Sequence, residues 1–359
     1  MTFAPLPATG DVEAARDLIY RFGWNTTCYQ LLNRGISRWT DSTLSCLVGF
    51  VERNRVRVVA GAPVCAEDEV RNVLEAWEDQ SSQAGRTVAY FGAEGRVLQA
   101  TAGREGYSTV VLGAQPVWSP QGWRRRFDGC PNCRAQRNRA RNKGLTVSEW
   151  PSERAEREPA IRRLLAEWLS TRGLPPMHFL VEPQTLADLR GRRVFVAEVG
   201  GEPVGFLVAS PIPRRNGWLT EQFVRGHAAP NGAVECLVDA AVNSMAEAGA
   251  EYVTMGIVPL SPHGATAENP PWLRASLGWA RAHGRRFYNF GGLDAFKSKF
   301  HPEYWEPIYA ISNEPRFSFR TLYAILAAFS DGPPPWTLAR AVAKAAWQEW
   351  RWIAGVDER

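Results

Sequence analysis

Apolar positions fall first at helical spacing. Val12, Ala15, Leu18 and Ile19 share one face and predict a helix that closes near Arg21–Asn25. A second short helix over Tyr29–Asn33 ends at Gly35. From Leu44 the period drops to two, and Leu44–Val51 and Val56–Ala60 flank Glu52-Arg-Asn-Arg55 as a hairpin. A helix from about Glu67 to Gln83 follows, then a strand at Thr87–Phe91, a short helix and a strand at Ser108–Gly113.

The same order of patterns returns later in the chain. Val194–Val199 and Val204–Ser210 flank Gly200-Gly201, a hairpin signal, because paired glycines suit the turn that two twisted strands require. A strand at Trp218–Val224, a helix at Ala233–Ala248, a strand at Tyr252–Ile257 and a helix at Trp272–His283 follow. The final strands are expected in Phe287–Tyr309 and its sequel, Glu306–Ser312. Hairpin, strand, helix, strand, helix, strand is the order of a GNAT-like N-acyltransferase module. The expected fold is therefore α/β (α+β), two such modules in tandem with a C-terminal amphipathic helix. Their expected bounds are residues 1–123 and 160–315, joined by a connector over 124–159 and followed by a helical tail over 316–359.

Composition narrows the class without naming a function. The 359 residues are 45% hydrophobic and 22% charged, ordinary for a globular protein, and a net charge of +5 does not make the whole chain a polybasic binder. The first ten residues lack the pattern of a secretory signal, and no run reaches the roughly 18–20 apolar residues that cross a bilayer. The expectation is a cytoplasmic protein. Its six cysteines fit reduced thiols better than a disulfide scaffold in a chain this long.

Charge is concentrated in the connector. Trp123-Arg-Arg-Arg-Phe127 leads into Arg134, Arg137, Arg139, Arg141 and Lys143, with only Asp128 opposing them in that interval. On a helix over 133–143, Arg134, Arg137 and Arg141 share one face, a stripe suited to phosphate from nucleic acid or lipid headgroups. A solvated helix face is the bland alternative. Cys130-Pro-Asn-Cys133 lies in the same segment. A CxxC pair is half a zinc site or a redox pair, but no second pair supplies the remaining ligands, so it reads as a turn with two thiols and no metal site is expected.

The junction before the helix at Ala233 is a natural anion site. Coenzyme A-dependent acyltransferases place a glycine-rich pyrophosphate loop there. This chain has Arg225-Gly-His-Ala-Ala-Pro-Asn-Gly232, in which Pro230 lacks an amide donor and the glycines are differently spaced. Glu221 and Glu235 beside Arg225 are candidates to read a zwitterion, or Glu221 and Arg225 form a structural ion pair. His227 is the nearby imidazole suited to general base work. In Phe287–Tyr309, Lys297 and Lys299 would share one face of an extended chain as a cationic pair.

Several of these stretches together resemble one family. They are Val59-Ala-Gly-Ala-Pro-Val64, the basic segment Arg134–Gly144, Val224–Glu235, Met255-Gly-Ile-Val-Pro-Leu260, Tyr288–Phe300 and Trp305-Glu-Pro-Ile-Tyr309. In this order, over about residues 20–312, they resemble the cytosolic catalytic domain of bacterial lysyl-phosphatidylglycerol synthase (multiple peptide resistance factor) and its aminoacyl-tRNA-dependent relatives. The resemblance implies tandem GNAT-like modules that move an amino acid from aminoacyl-tRNA to a lipid hydroxyl, in the type case that of phosphatidylglycerol. An aminoacyl ester is already activated, so no cofactor is required. The partners implied are aminoacyl-tRNA and an anionic lipid or membrane surface, with peripheral contact at the inner face of the membrane.

Carried onto this chain, the resemblance makes Arg225, Lys297 and Lys299 basic residues of the active region, with His227 as the fourth catalytic candidate. Gln222 stands where the family often has an acidic residue three before the arginine, with Glu221 adjacent. The candidate substrate-binding set is Glu221, Gln222, Asn231, Gly232, Glu235 and Asn289, with Arg134, Arg137 and Arg141 for phosphate. Three alternatives stay open: a soluble aminoacyl-tRNA-dependent transferase acting on a small metabolite or peptide, an acyl-CoA N-acetyltransferase, and a non-catalytic tRNA or membrane binder. Beyond Pro333-Pro-Pro335, Trp336, Ala339, Ala343, Ala346, Trp350 and Ile353 share a helical face opposite Arg340, Lys344 and Gln348. That pattern suits an interfacial helix or one docked on protein.

Overall fold

Asn54 and Arg55 both take left-handed backbone angles, and so do Gly200 and Gly201. Each pair makes the two-residue turn whose twist matches its flanking strands. The hairpins so closed are β2 (Cys46–Arg53) with β3 (Val56–Ala60), and β7 (Arg193–Val199) with β8 (Glu202–Ile212). The computed structural model describes residues 9–171, 178–181, 183–259, 261–264, 269, 271, 274 and 290–330.

In the first half, α1 (Thr9–Phe22) precedes β1 (Ser37–Asp41), an edge strand that the hydrophobic pattern did not announce. After the first hairpin come α2 (Val70–Gln83), β4 (Thr87–Ala93), α3 (Gly95–Thr101) and β5 (Ser108–Trp118), which runs five residues past its expected end at Gly113. The basic segment folds as α4 (Trp123–Gly129), α5 (Pro131–Asn142), β6 (Leu145–Trp150) and α6 (Ser152–Arg157), and α7 (Pro159–Ser170) follows. The second half adds β9 (Gly217–Arg225), α8 (Ala233–Glu247), β10 (Tyr252–Thr254), β11 (Val258–Pro259), α9 (Phe290–Ser298), β12 (Tyr304–Ser312) and α10 (Phe319–Ala328).

All of the described strands join one sheet in the order β1-β2-β3-β4-β12-β5-β10-β9-β8-β7-β6, with β11 paired to β5. Two pairs are parallel, β3 with β4 and β9 with β10, and a helix connects the strands of each (α2 and α8). Each half is thus a hairpin followed by a β-α-β crossover. The last strand, β12, lies between β4 and β5 and pairs antiparallel with both, while β5 also pairs with β10. The sheet therefore runs unbroken through both expected modules. The expected connector supplies β6, which pairs with β7.

The basic segment docks through its aromatic residues. Trp123 and Phe127, one helical turn apart, are buried with Trp118 and Phe300, their ring centroids 5.7–6.2 Å from one another or from Phe300. Arg124 and Arg125 between them face solvent. Cys130 and Cys133 are joined in a disulfide at the start of α5, where two free thiols were expected, while Cys28, Cys46, Cys65 and Cys236 are free and buried.

The expected extended form of Phe287–Tyr309 holds over Tyr304–Tyr309, in β12, and is overturned before it. Residues 290–298 are α9, because Leu293, Phe296 and Phe300 follow one another at helical spacing. Asn289, the expected helix over 272–283 apart from residue 274, and the tail helix over 336–353 lie outside the described residues. Among the described residues no helix is long and apolar enough to cross a membrane.

Candidate active site

Lys297 lies in the last turn of α9, whose helical form turns it away from Lys299 rather than beside it. It is 5% exposed. Its ammonium donates to the carbonyl oxygens of Met255 (2.6 Å), Gly256 (2.8 Å) and Ile257 (3.1 Å). These three carbonyls belong to the segment between β10 and β11, which has left the parallel ladder, and Gly256 takes the left-handed angle that lets it do so. Burial pulls the amine down to about 7. A group with this value gains and loses a proton at neutral pH.

Lys299 bonds Glu235 of α8 at 2.6 Å, and the rings of Phe296 and Phe300 cover its ammonium at 4.1 and 5.0 Å. Its own carbonyl oxygen lies 3.5 and 3.6 Å from the sulfurs of Cys130 and Cys133. Phe296 also meets Phe223 of β9 edge-on. The end of α9 and the turn at Lys299 that follows it are therefore held against the ends of β9, α5 and α8.

Arg225 ends β9 and turns back on its own loop, donating to Ala229 O and Asn231 Oδ1 at 3.0 Å each. The loop is closed against anions in several places. The His227 amide donates to Glu167 Oε1 of α7 at 2.6 Å, the Gly226 amide to Val204 O, and the Ala229 amide to Gly226 O. Gly232 has φ +95°, and a Cβ there would collide with the carbonyl oxygen of Gln136 on α5. The His227 ring itself is 78% exposed and faces Glu167. No described contact links it to Lys297 or Lys299.

The acidic candidates are committed elsewhere. Glu221 does not stand beside Arg225 to read a zwitterion, nor does it pair with that arginine. Its buried carboxylate binds Arg192 Nε at 3.0 Å and accepts from the Ser210 hydroxyl. Burial alone would raise this carboxyl, but Arg192 and the hydrogen bonds outweigh burial and hold it below its ordinary value. Glu235 serves Lys299. Gln222, next to the register shift that falls at Glu221, is buried, accepts from Thr185 Oγ1 and donates to Pro183 O at 3.0 Å. An amide satisfies this donor-and-acceptor pairing, and a carboxylate would not.

The arginine stripe divides. Arg134 and Arg141 are exposed along α5, whereas Arg137 turns inward to Asp239 Oδ2 (3.1 Å) and Asp128 Oδ1 (2.8 Å). Asp239 is buried on α8 and also accepts from Trp123 Nε1 and Asn243, so it needs a counter-charge. Arg137 thus fastens the helix and is not available for phosphate.

One buried constellation was missed entirely. Arg215, after β8, donates to both oxygens of Glu306 (2.8 and 2.9 Å) and to Glu94, with its guanidinium 3.8 Å from the Trp24 ring. Tyr252 and Gln115 complete Glu306 at 2.7 and 2.9 Å, and the Thr26 amide donates to Glu94. Burial and the neighbouring Glu306 push the Glu94 carboxyl up, and Arg215 pulls it down, leaving it above its ordinary value. These residues tie together strands from both halves of the sheet. The visible signal was Glu306, inside Trp305–Tyr309.

The repeated hairpin and crossover, with the pyrophosphate loop rebuilt, define tandem GNAT-like acyltransferase modules. Residues 16–312 match the family described as phosphatidylglycerol lysyltransferase, C-terminal, and the chain belongs to that family. Membership places it among transferases. In structure it is similar to the C-terminal domain of a putative lysylphosphatidylglycerol synthetase from Agrobacterium fabrum, with a TM-score of 0.76, 20% identity and coverage of 90% of this chain and 98% of that one. It is similar also to L-PGS from Bacillus licheniformis, with a TM-score of 0.74, 21% identity and coverage of 91% and 97%. An uncharacterized protein of Corynebacterium glutamicum is 23% identical over 305 residues, which are 82% of this chain and 38% of that protein's length.

Proposed function

We propose that this chain moves an amino acid from aminoacyl-tRNA to a hydroxyl of a membrane lipid such as phosphatidylglycerol. The observation that carries the reading is Lys297, buried on three carbonyls with its amine brought to about 7, in a chain of the lysyltransferase family. In the proposed reaction the lipid hydroxyl oxygen attacks the aminoacyl ester carbon. The bond from that carbon to the terminal ribose oxygen of tRNA then breaks. Lys297 as the neutral amine accepts the hydroxyl proton and returns it to the departing ribose oxygen, so no proton is gained or lost overall. Arg225 and the exposed Arg134 and Arg141 hold phosphate of the donor or acceptor.

A coenzyme A donor is disfavoured by the loop after β9. Glu167 occupies the His227 amide, Pro230 has none, and α5 packs on Gly232. Lipid extracts of cells expressing the chain test the reading. A new amine-bearing phospholipid that vanishes in Lys297→Ala supports it. An unchanged lipid profile, together with acetyl-coenzyme A turnover by the purified protein, contradicts it.

A further inference from the structure

We propose that the outer face of α10, continued by the turn at Val181, is the surface on which this chain meets an anionic bilayer. Phe319 and Leu326 lie seven residues apart and so share one side of the helix. They are 89% and 62% exposed, while Thr321, Ala324, Ile325 and Ala328 are buried on the other side. A soluble protein seldom leaves a phenylalanine so bare beside further exposed aliphatic residues without a use for it. Val181, 47% exposed, adjoins the C-terminal end of the helix. The neighbouring Phe179 ring packs on Phe329 at 5.3 Å, and the His178 amide donates to Phe329 O.

Arginines from separate elements rim this apolar strip. Arg53 donates to Ala327 O at one end of α10. At the other end Arg320 donates to Thr87 Oγ1, and the Thr87 amide donates to Arg55 O, which brings Arg55 to the same edge. Arg53, Arg55, Arg316 and Arg320 are all exposed. The nearby acids are engaged, Glu52 with Arg57 and Arg86, and Glu314 with Ser318, Thr321 and Arg320. An apolar centre inside a guanidinium rim fits acyl chains beneath a layer of phosphates. Pro183 and Thr185, a few residues along the chain from Val181, hold Gln222 of β9. The inference deepens the transfer reading by naming the bilayer itself as the docking partner.

Co-sedimentation of the full chain with vesicles of phosphatidylglycerol and phosphatidylcholine, and of phosphatidylcholine alone, tests it. The wild type is expected to bind the anionic vesicles. Phe319→Ser/Leu326→Ser should weaken that binding at least tenfold. Arg53→Gln/Arg55→Gln/Arg320→Gln should weaken it similarly and flatten its salt dependence, both variants keeping the wild-type melting temperature. Wild-type binding by both variants overturns the proposal. So does a self-associating protein whose dimer is lost in the apolar variant, which assigns the face to a second copy. Vesicle binding through this face without formation of an aminoacyl lipid leaves the surface standing and counts against the transfer reading alone.

Discussion

Lys297 Nζ lies 2.6 Å from the carbonyl oxygen of Met255, the first of three successive carbonyls that its buried amine caps. The contact joins α9 to the point where β10 leaves the parallel ladder. It serves structure and chemistry together, and the two roles are separable. Lys297→Met keeps the volume of the stem and removes the amine. Activity should fall by about 10²–10⁴-fold, the usual contribution of a positioned proton-transfer group. A loss below threefold in steady-state transfer would remove Lys297 from the mechanism.

The same amine makes stability depend on pH with a definite sign. Its folded value, about 7, lies below the ordinary lysine value. Between the two, the unfolded chain holds a proton that the folded chain does not, so stability rises with pH across this window. The cost of burying the charge is fully present below about pH 7. Urea unfolding of the wild type relative to Lys297→Met should show a gain approaching about 1.4 kcal/mol per pH unit from pH 7 to 9. A difference independent of pH contradicts the assignment.

Removing Lys299 alone leaves Glu235 charged and poorly hydrated. Lys299→Met should destabilise by about 3 kcal/mol, and Lys299→Met/Glu235→Gln should recover most of that loss in a double-mutant cycle. Additive losses would mean that the 2.6 Å pair carries no coupling.

Glu94 titrates in the opposite sense. Its carboxyl is held above its ordinary value, so the folded chain keeps a proton that the unfolded chain releases, and stability falls as pH rises through that interval. Glu94→Gln should flatten this slope in denaturation curves taken at rising pH above the ordinary carboxyl range. Arg215→Met, which strands two carboxylates, should cost about 3–5 kcal/mol at neutral pH.

Gly232, just before α8, lies directly against the backbone of α5. Gly232→Ala combines a left-handed backbone with a collision on the Gln136 carbonyl, and should cost about 2–4 kcal/mol in thermal or chemical unfolding. A neutral substitution would show that α5 is free to shift.

The parts legible in sequence were those decided locally. Gly200-Gly201 announced its hairpin because its turn needs positive φ, and α8 announced itself by period. Residues 290–298 were misread because Gly291-Gly292 suggested a turn and masked the helical spacing of Leu293, Phe296 and Phe300. Pairings across the fold were not legible. Arg192 is 29 residues from Glu221, and Arg215 is 91 from Glu306, and nothing in either neighbourhood names its partner. The same holds for Arg137, whose inward turn is dictated by Asp239 on another helix. Gln222 looked like a departure from the family pattern until Thr185 and Pro183 showed an amide's donor and acceptor both in use.

The central claim is transfer from aminoacyl-tRNA to lipid, and one reconstitution tests it most directly. Purified protein is mixed with total tRNA charged with radiolabelled amino acids and with vesicles containing phosphatidylglycerol, and label is counted in the chloroform phase. The account predicts label in a lipid product that requires charged tRNA, disappears when the tRNA is digested beforehand, and falls at least a hundredfold with Lys297→Met. Label confined to the aqueous phase at every lipid composition, with intact charged tRNA and folded protein, would contradict it.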